Sequence, residues 1–282
     1  MMESILDLDL MEKLFIKEIK MFKEIKNKSF ANGTVYALQT EDGYPIEVTD
    51  TFLPSYTKDA IGRKQNKLDN YELGSRQDRW MIGVSCMSGC PCHCLFCATG
   101  QLPKWRNLTA EEIVEQVEFI LSKHPEIKFG ESYENKINYT RMGECFLNID
   151  NIRKAIEIID SKYPNVHHFI STIGVQYSDF SWIKDNITLQ VSLHSLDETH
   201  RKELIPFPKL MSIEELGKIR TNSDLKTTVN MTLVDEKDFD INKLMQWFDK
   251  DYFFIKLSPI NKNTISEKNN LGDGIIEGIN LV

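Results

Sequence analysis

Five of the six cysteines in this sequence fall between positions 86 and 97, and this crowding is the feature most able to support chemistry. Cys90, Cys94 and Cys97 have the spacing Cys-x3-Cys-x2-Cys and directly follow an apolar stretch. Thiolates bind soft iron well, and three of them can hold three corners of a cubane while the fourth iron stays open. Catalytic metal sites keep such an open position. The spacing therefore predicts a [4Fe–4S] cluster held by these three cysteines.

A zinc site built from four of the clustered cysteines and His93 is the main alternative. Its ligand spacing would be irregular, and the sequence offers no second ligand pair further along. Disulfide pairing is less favoured, because the N-terminal residues lack the layout of a signal peptide and predict a cytoplasmic, reducing location. The sequence contains no run of about 18 apolar residues, so it predicts no membrane span.

Composition places the chain among ordinary globular proteins. It has 282 residues, of which 41% are hydrophobic and 27% are charged, so it can build a large core. The net charge of −8 does not favour a broadly nucleic-acid-binding surface, although local basic patches matter more than the sum. The lysines between Lys13 and Lys26 are the clearest local excess of positive charge.

An alternation of strands and helices follows the N-terminal third and places the cysteines after the first strand. Thr109 and Glu112 form a capping-box pattern at the start of the helix predicted over 109–122. Further helices are predicted over 150–161, 178–184, 212–221 and 240–249. The predicted strands are Trp80–Ser85, Ile137–Met142, His167–Ile173, Ile187–His194, Lys226–Leu233 and Phe253–Ser258. This order predicts an α/β fold with a parallel sheet, a partial (β/α)6 TIM-like barrel whose site lies at the C-terminal strand ends.

The remaining segments flank this core. Residues 11–28 have the periodicity of an amphipathic helix, and two short β patterns surround the turn at Glu41-Asp42-Gly43. Residues 58–77 are polar and predict a loop. We therefore expect an N-terminal helix and β extension over 1–79, the core over 80–261 and an unplaced C-terminal tail over 262–282, which could be truncated.

The cysteine spacing followed by an α/β barrel resembles the radical S-adenosylmethionine (SAM) superfamily. Further segments, in the right order over about residues 36–261, resemble the dual-specificity adenine-C2 rRNA/tRNA methyltransferases (RlmN/Cfr-like). Those segments are Asp42–Glu47, Gly89–Gln101, Arg106–Ile113, Met142–Glu144, Ser171–Val175, Ser192–His194, Arg201 to Pro206 and Pro259–Asn261.

The resemblance implies a cofactor pair and a reaction. SAM chelates the open iron, and an electron from the reduced cluster cleaves SAM to methionine and a 5′-deoxyadenosyl radical. It implies an rRNA or tRNA substrate and an electron donor such as flavodoxin or ferredoxin. It also implies SAM contacts at Gly143, Glu144, Ser171, Ser192, Leu193, His194 and Asn261, with Glu144 near the SAM ammonium. Glu47 matches a proton-accepting carboxylate of the family; a solvated glutamate at a strand edge is the equal alternative.

The chain departs from this family in its other thiols. The family uses a methyl-carrying cysteine near its C-terminus and a resolving cysteine seven residues before the first cluster cysteine. Here the upstream position is Gly83, and no cysteine follows Cys145. The carrier could lie beyond a truncated C-terminus, Cys86, Cys92 or Cys145 could substitute, or the radical could serve another reaction. A radical SAM enzyme with a non-RNA substrate and a degenerate member without methyl transfer therefore stay open beside the RNA methyltransferase.

Overall fold

The computed structural model describes residues 22–58, 64–66 and 73–272. The strands are β1 Phe22–Phe30, β2 Gly33–Thr40, β3 Pro45–Leu53, β4 Tyr56–Lys58, β5 Lys64–Asn66, β6 Arg79–Val84, β7 Met87–Ser88, β8 Arg106–Asn107, β9 Glu134–Tyr139, β10 Val166–Thr172, β11 Ile187–Ser192, β12 Thr227–Thr232 and β13 Phe253–Ser258. The helices are α1 Ala110–Ser122, α2 Ile149–Lys162, α3 Glu198–Leu204, α4 Ile213–Gly217, α5 Ile241–Trp247 and α6 Thr264–Lys268. No helix within the described ranges is long and apolar enough to cross a membrane.

One nine-stranded sheet organises the molecule, with the strand order β1-β2-β3-β6-β9-β10-β11-β12-β13. The first three strands and β6 pair antiparallel, whereas the strands from β6 to β13 are parallel and follow each other in chain order. The predicted parallel α/β core is thus confirmed. Among the described residues β1 and β13 are the two edges of the sheet, so it does not close into a barrel. The sheet also continues across the boundary expected between residues 79 and 80.

The two faces of the parallel sheet differ in character. Val166, His168, Ile170 and Thr172 of β10 are buried, whereas the residues between them are partly exposed. The two longest helices, α1 and α2, pack against each other and bury one apolar side each, and α1 begins with the predicted capping box. Parallel sheets are usually apolar on both faces. Here the second face carries polar side chains instead and is free to form a site.

Two sequence-based predictions are wrong. Residues 22–28, expected at the end of a helix, belong to the edge strand β1, which pairs with β2 along its length; residues 11–21 lie outside the described part of the chain. The helix expected over 178–184 is absent, and this stretch forms turns. The chain just before this stretch is held by a long-range contact, the bridge between Val175 and Leu210. The loop predicted over 58–77 lies largely outside the described residues.

A buried carboxylate fastens the N-terminal strands to the core. Asp50 on β3 is only 1% exposed. It accepts hydrogen bonds from the Arg76 guanidinium, with Nη2 at 2.6 Å, and from Trp80 Nε1 at 2.9 Å. His124 Nε2 lies 2.8 Å from Asp50 Oδ2. A buried charge needs this density of partners, so the β extension is an integral part of the sheet that carries the site.

Candidate active site

The cysteine loop leaves the sheet directly after β6 and returns before α1. Its neck is closed by the pairing of β7 with β8 and by the buried side chain of Asn148. Asn148 Nδ2 donates to the carbonyl oxygens of Cys86 at 2.7 Å and Leu108 at 2.8 Å. Because one side chain binds both ends of the loop, these two ends are held together and the thiols lie between two fixed points.

The three predicted ligand thiols all belong to this loop. Cys94 is buried, while Cys90 and Cys97 are partly exposed. Burial raises the pKa of the Cys94 thiol, and negative charge on Cys97 and Cys90 raises it further. A hydrogen bond with Cys92 lowers the pKa of Cys90. Cys94 thus interacts electrostatically with both of the other predicted ligands.

The thiols of the cysteine loop are not gathered around one point. No three His, Cys, Asp or Glu side chains within the described residues surround a point as ligands of one metal ion. In a cubane each thiolate binds a different iron, so the sulfurs remain farther apart than around a single ion. Three soft thiolates on one pinned loop therefore fit a [4Fe–4S] cluster.

A cavity of about 440 Å³ opens beside Cys97 at the C-terminal ends of the parallel strands. Four of the seven expected SAM contacts line it: Ser171, Ser192, His194 and Asn261. The Ser171 and Ser192 hydroxyls lie 3.3 Å apart. This volume falls in the range of small-molecule sites, and Cys97, a partly exposed cysteine of the loop, shares its wall. The structure thus brings a predicted cluster ligand and four predicted SAM contacts to one place.

The other three expected SAM contacts do not line this cavity. Leu193 is completely buried. Gly143 has a φ of +106°, and an added Cβ there would lie 2.7 Å from Cys86 Sγ, so packing against the cysteine loop requires the glycine. Glu144 is buried, and its carboxylate accepts hydrogen bonds from Thr172 Oγ1, Ile173 N and Phe146 N at 2.6, 2.9 and 3.0 Å. Burial raises the pKa of Glu144.

His194 joins the cavity to the cysteine loop. Its Nδ1 accepts a hydrogen bond from the Thr232 backbone N–H at 3.1 Å, and its ring packs edge-to-face against Phe96 with centroids 4.7 Å apart. Burial lowers the pKa of His194 to about 3, and the nearby charge of Arg201 adds to this effect. The imidazole is therefore neutral at pH 7, with its proton on Nε2.

The segment after β13 closes over the same loop, a role that the sequence patterns left unassigned. Asn263 caps α6 and its Nδ2 donates to the Phe96 carbonyl oxygen at 3.0 Å. Asn269 Nδ2 donates to the Leu95 carbonyl oxygen at 2.7 Å. The pattern Asn-x-x-Ser at positions 263–266 is a capping signal that could have located this helix.

Glu47 lies on β3 beside the first residues of the cysteine loop. Its carboxylate forms an ion pair with Arg141, which follows β9, and both side chains are about one third exposed. The Glu47 carbonyl oxygen accepts a hydrogen bond from Ser85 Oγ at 2.7 Å. Arg141 was not recognised from the sequence because it belongs to no motif. Glu47 does not line the cavity, but it is an accessible, oriented carboxylate at the same end of the sheet.

The remaining cysteines are buried away from the cavity. Cys86 and Cys145 share a hydrogen bond that, with burial, raises the pKa of Cys86, and Cys145 Sγ donates to the Tyr139 carbonyl oxygen at 3.0 Å. Cys92 is buried against Cys90. None of the three lines the cavity in the described part of the molecule.

Arg201 is a fully buried arginine that the sequence motif contained without a role. Its guanidinium donates to the carbonyl oxygens of Met211 at 2.6 Å and Ile173 at 2.7 Å. The helix that carries it ends against the loop, because Leu95 N donates to the Leu204 carbonyl oxygen at 2.9 Å. The helix α3 therefore contacts the cysteine loop through Leu204 and the end of β10 through Arg201.

Curated relatives share this region. Two proteins named "Probable dual-specificity RNA methyltransferase RlmN" come from different strains of Chlorobium phaeobacteroides. The one from strain BS1 is 33% identical over 178 residues, covering 61% of this chain and 49% of the relative. The one from strain DSM 266 is 33% identical over 241 residues, covering 78% and 64%. The chain thus spans between about half and two thirds of the length of these relatives.

A solved structure and a family model agree on the architecture. The crystal structure of a radical SAM methyltransferase from Sphaerobacter thermophilus superposes with a TM-score of 0.68 at 23% identity, covering 97% of this chain and 76% of that one. At this identity the likeness concerns the fold. A family model described as "Radical SAM superfamily" matches residues 84–248. Because that match spans more than half of the sequence, from the end of β6 through the cysteine loop to α5, this chain belongs to the radical SAM superfamily.

Proposed function

We propose that this chain binds a [4Fe–4S] cluster through Cys90, Cys94 and Cys97 and holds SAM in the adjoining cavity. The observation that carries the proposal is the position of Cys97, which is one of the three predicted ligand cysteines and also part of the cavity wall. When bound, the reduced cluster and SAM supply a 5′-deoxyadenosyl radical for hydrogen abstraction. We also infer that the parallel strands curve into a partial barrel, since their uninterrupted chain order is that of an arc of such a barrel.

The side chains of the cavity suit a polar nucleoside. The hydroxyls of Ser171 and Ser192 and the amide of Asn261 can donate to and accept from ribose or base edges. The neutral His194 presents its Nε2–H while its other nitrogen is held by the backbone. Gly143, Glu144 and Leu193 would act by shaping the loop, unless SAM binding rearranges them to make the contacts expected from the resemblance.

We propose RNA adenine C-methylation as the reaction, with rRNA or tRNA as substrate. The supporting observation is the identity of about one third with proteins named as dual-specificity RNA methyltransferases. In this reaction Glu47 would accept the proton lost from the ring carbon, because its ion pair with Arg141 orients a carboxylate toward solvent. A cytoplasmic location and a flavodoxin or ferredoxin donor are consistent with this role.

A second candidate is a radical SAM reaction on a non-RNA substrate. It is favoured by the absence of any thiol other than Cys97 from the described cavity wall and by the tight packing around Gly83, the position of the resolving cysteine in the family. The degenerate alternative, without methyl transfer, has the same support.

Anaerobic reconstitution followed by product analysis separates these functions. Cluster-loaded protein, a chemical reductant and methyl-deuterated SAM are incubated with ribosomal RNA or tRNA, and nucleosides are analysed by mass spectrometry. Deuterated methyladenosine together with 5′-deoxyadenosine supports the RNA methyltransferase. Release of 5′-deoxyadenosine without RNA methylation supports the second candidate, and a loaded cluster without SAM cleavage supports the degenerate one. The Cys97→Ala protein is the control, and it should release no 5′-deoxyadenosine.

A further inference from the structure

Two polar side chains of the cavity wall are not among the expected SAM contacts. Successive residues on one face of a strand are two positions apart. Gln190 on β11 and Lys256 on β13 therefore share a face with Ser192 and Ser258, and all four line the cavity. The sheet register sets Gln190 opposite Ser171 and sets Lys256 level with Asn230 and Ser192. The two side chains thus lie two strands apart along the wall, beside the expected contacts.

Gln190 carries an unsatisfied acceptor. The residue is only 8% exposed, and its Nε2 donates to Ser171 Oγ at 3.2 Å. Its Oε1 is buried without a hydrogen-bond partner. Buried carbonyl oxygens are almost always paired, so an unpaired one in a cavity wall indicates a ligand group that completes it. A carboxamide with a free oxygen and a second N–H matches the N6 amino group and N7 of adenine.

Lys256 supplies the charge that this site otherwise lacks. Every other described side chain of the cavity wall is neutral at pH 7 or a thiol. Lys256 is exposed, and no carboxylate of the described residues forms an ion pair with it. An unpaired ammonium in a neutral polar cavity attracts an anionic group.

We propose that these two side chains of the cavity wall recognise an adenine nucleoside that bears an acidic group, with Gln190 reading the N6/N7 edge of the base and Lys256 binding the anion. Two sources share this chemistry: SAM, with its carboxylate, and an adenylate of an RNA substrate, with its phosphate. The inference deepens the proposed function, on which the choice of adenine compounds rests, and it names two specificity residues for it.

The test compares adenosine and inosine monophosphates as probes on cluster-loaded protein, by equilibrium binding. Inosine presents a carbonyl oxygen where adenine presents the amino group. In inosine monophosphate two acceptors, this oxygen and Gln190 Oε1, would therefore face each other without a hydrogen bond. We expect the wild-type protein to prefer the adenosine nucleotide about tenfold or more, in the range of one good bidentate contact. Gln190→Met, which conserves volume, should reduce that preference to about twofold or less. Gln190→Glu, which keeps the acceptor, should retain it.

Lys256→Gln should weaken the binding of both nucleotides about fivefold or more. It should leave the ratio of their two affinities, and the binding of uncharged adenosine, unchanged. The matched controls are Gln246→Met and Lys243→Gln on α5, outside the cavity, and neither should alter binding. Thermal unfolding of each variant checks that it is folded.

Two further arms identify the source of the adenine. A loss of SAM affinity in Gln190→Met assigns the base to SAM. An unchanged SAM affinity with a lost preference for adenosine over inosine in an oligoribonucleotide assigns it to RNA. The inference is overturned if the wild-type protein does not distinguish the two nucleotides, or if folded Gln190→Met distinguishes them as well as wild type does. The inference survives if RNA methylation is never detected but this preference is present, whereas the proposed function then fails.

Discussion

In this chain Gly83 occupies the position of the family's resolving cysteine, and neighbouring side chains fill the space that a side chain there would need. The cost of adding a side chain at this position can be measured. Gly83 lies on β6 opposite Thr49 of β3. A Cβ added at Gly83 would press against Thr49 Oγ1 and lie 3.0 Å from Arg141 Cδ. The second distance is already about 0.5 Å inside the optimal separation of two carbon atoms. A side chain at position 83 therefore requires Thr49 to change.

The expected cost of Gly83→Ala follows from two opposing effects. Overpacking a buried site costs about 1–3 kcal/mol, whereas replacing glycine lowers the entropy of the unfolded chain and returns about 0.4–1 kcal/mol. The net loss in the free energy of unfolding should be about 1–2 kcal/mol. Thr49→Ala alone removes a methyl and a hydroxyl from a buried site and should cost about 1 kcal/mol.

The double variant distinguishes a steric clash with Thr49 from a sensitivity of β6 to any substitution. Without Thr49 Oγ1 the new methyl has room, so Gly83→Ala should cost at least about 1 kcal/mol less in the Thr49→Ala background. Urea unfolding of the four proteins gives the cycle, provided that the slope with denaturant is unchanged. Additive effects, within about 0.5 kcal/mol, would refute the steric explanation. If coupling is found, Gly83→Cys with Thr49→Ala is the variant in which a resolving thiol can be restored.

Three more predictions concern buried groups. Asp50→Asn removes the buried carboxylate charge that pairs with Arg76 and should lower the free energy of unfolding by about 3 kcal/mol, measured by urea unfolding. A loss below about 1 kcal/mol would contradict the role given to this carboxylate. For His194 the unfolded chain binds a proton below its ordinary pKa, whereas the folded chain, with a pKa of about 3, stays neutral. Stability should therefore fall as the pH drops from about 6.5 toward 3, with this residue contributing up to about 1.4 kcal/mol per pH unit; His194→Asn should lose that contribution, and an unchanged pH slope would argue against it. In the cluster-free protein, iodoacetamide should label Cys90 first, because it is partly exposed and its pKa is lowered, and should label Cys86 and Cys145 only after unfolding; equal labelling rates by mass spectrometry would contradict the burial described.

Local sequence patterns were sufficient where the structure depends on neighbours in the chain. The capping box at Thr109 and Glu112 is a local signal, and this prediction is confirmed. The alternation of strands and helices is also a local signal, and the parallel α/β core that it predicted is confirmed, although the helix over 178–184 is absent. The periodicity at the end of residues 11–28 was misleading, because pairing with β2 along the whole of β1 outweighs a helical pattern. The charged residues of β1 suit an exposed sheet edge equally well.

The candidate site likewise combines features that depend on sequence neighbours with features that depend on distant residues. The cysteine spacing and the strand-end motifs could be read directly, and four of the expected contacts lie in one cavity. The full set of partners of Glu144 could not, because two of its three hydrogen bonds come from residues 28 and 29 positions away in the chain. Arg141 was missed because it belongs to no motif. The role of Arg201 could not be read because its partner Ile173 lies 28 positions away in the chain. Gln190 and Lys256 could have been found from strand parity, since each lies two residues before a polar residue at a strand end.

The most direct test of the central claim is anaerobic reconstitution of the full chain with iron and sulfide, followed by reduction in the presence of SAM. We predict about four irons and four sulfides per chain, as required for one cubane, and release of 5′-deoxyadenosine. The protein with Cys90, Cys94 and Cys97 all replaced by alanine should bind no cluster and release none. A cluster that forms equally well in this triple variant, or a wild-type protein that binds none, would contradict the assignment of these thiols.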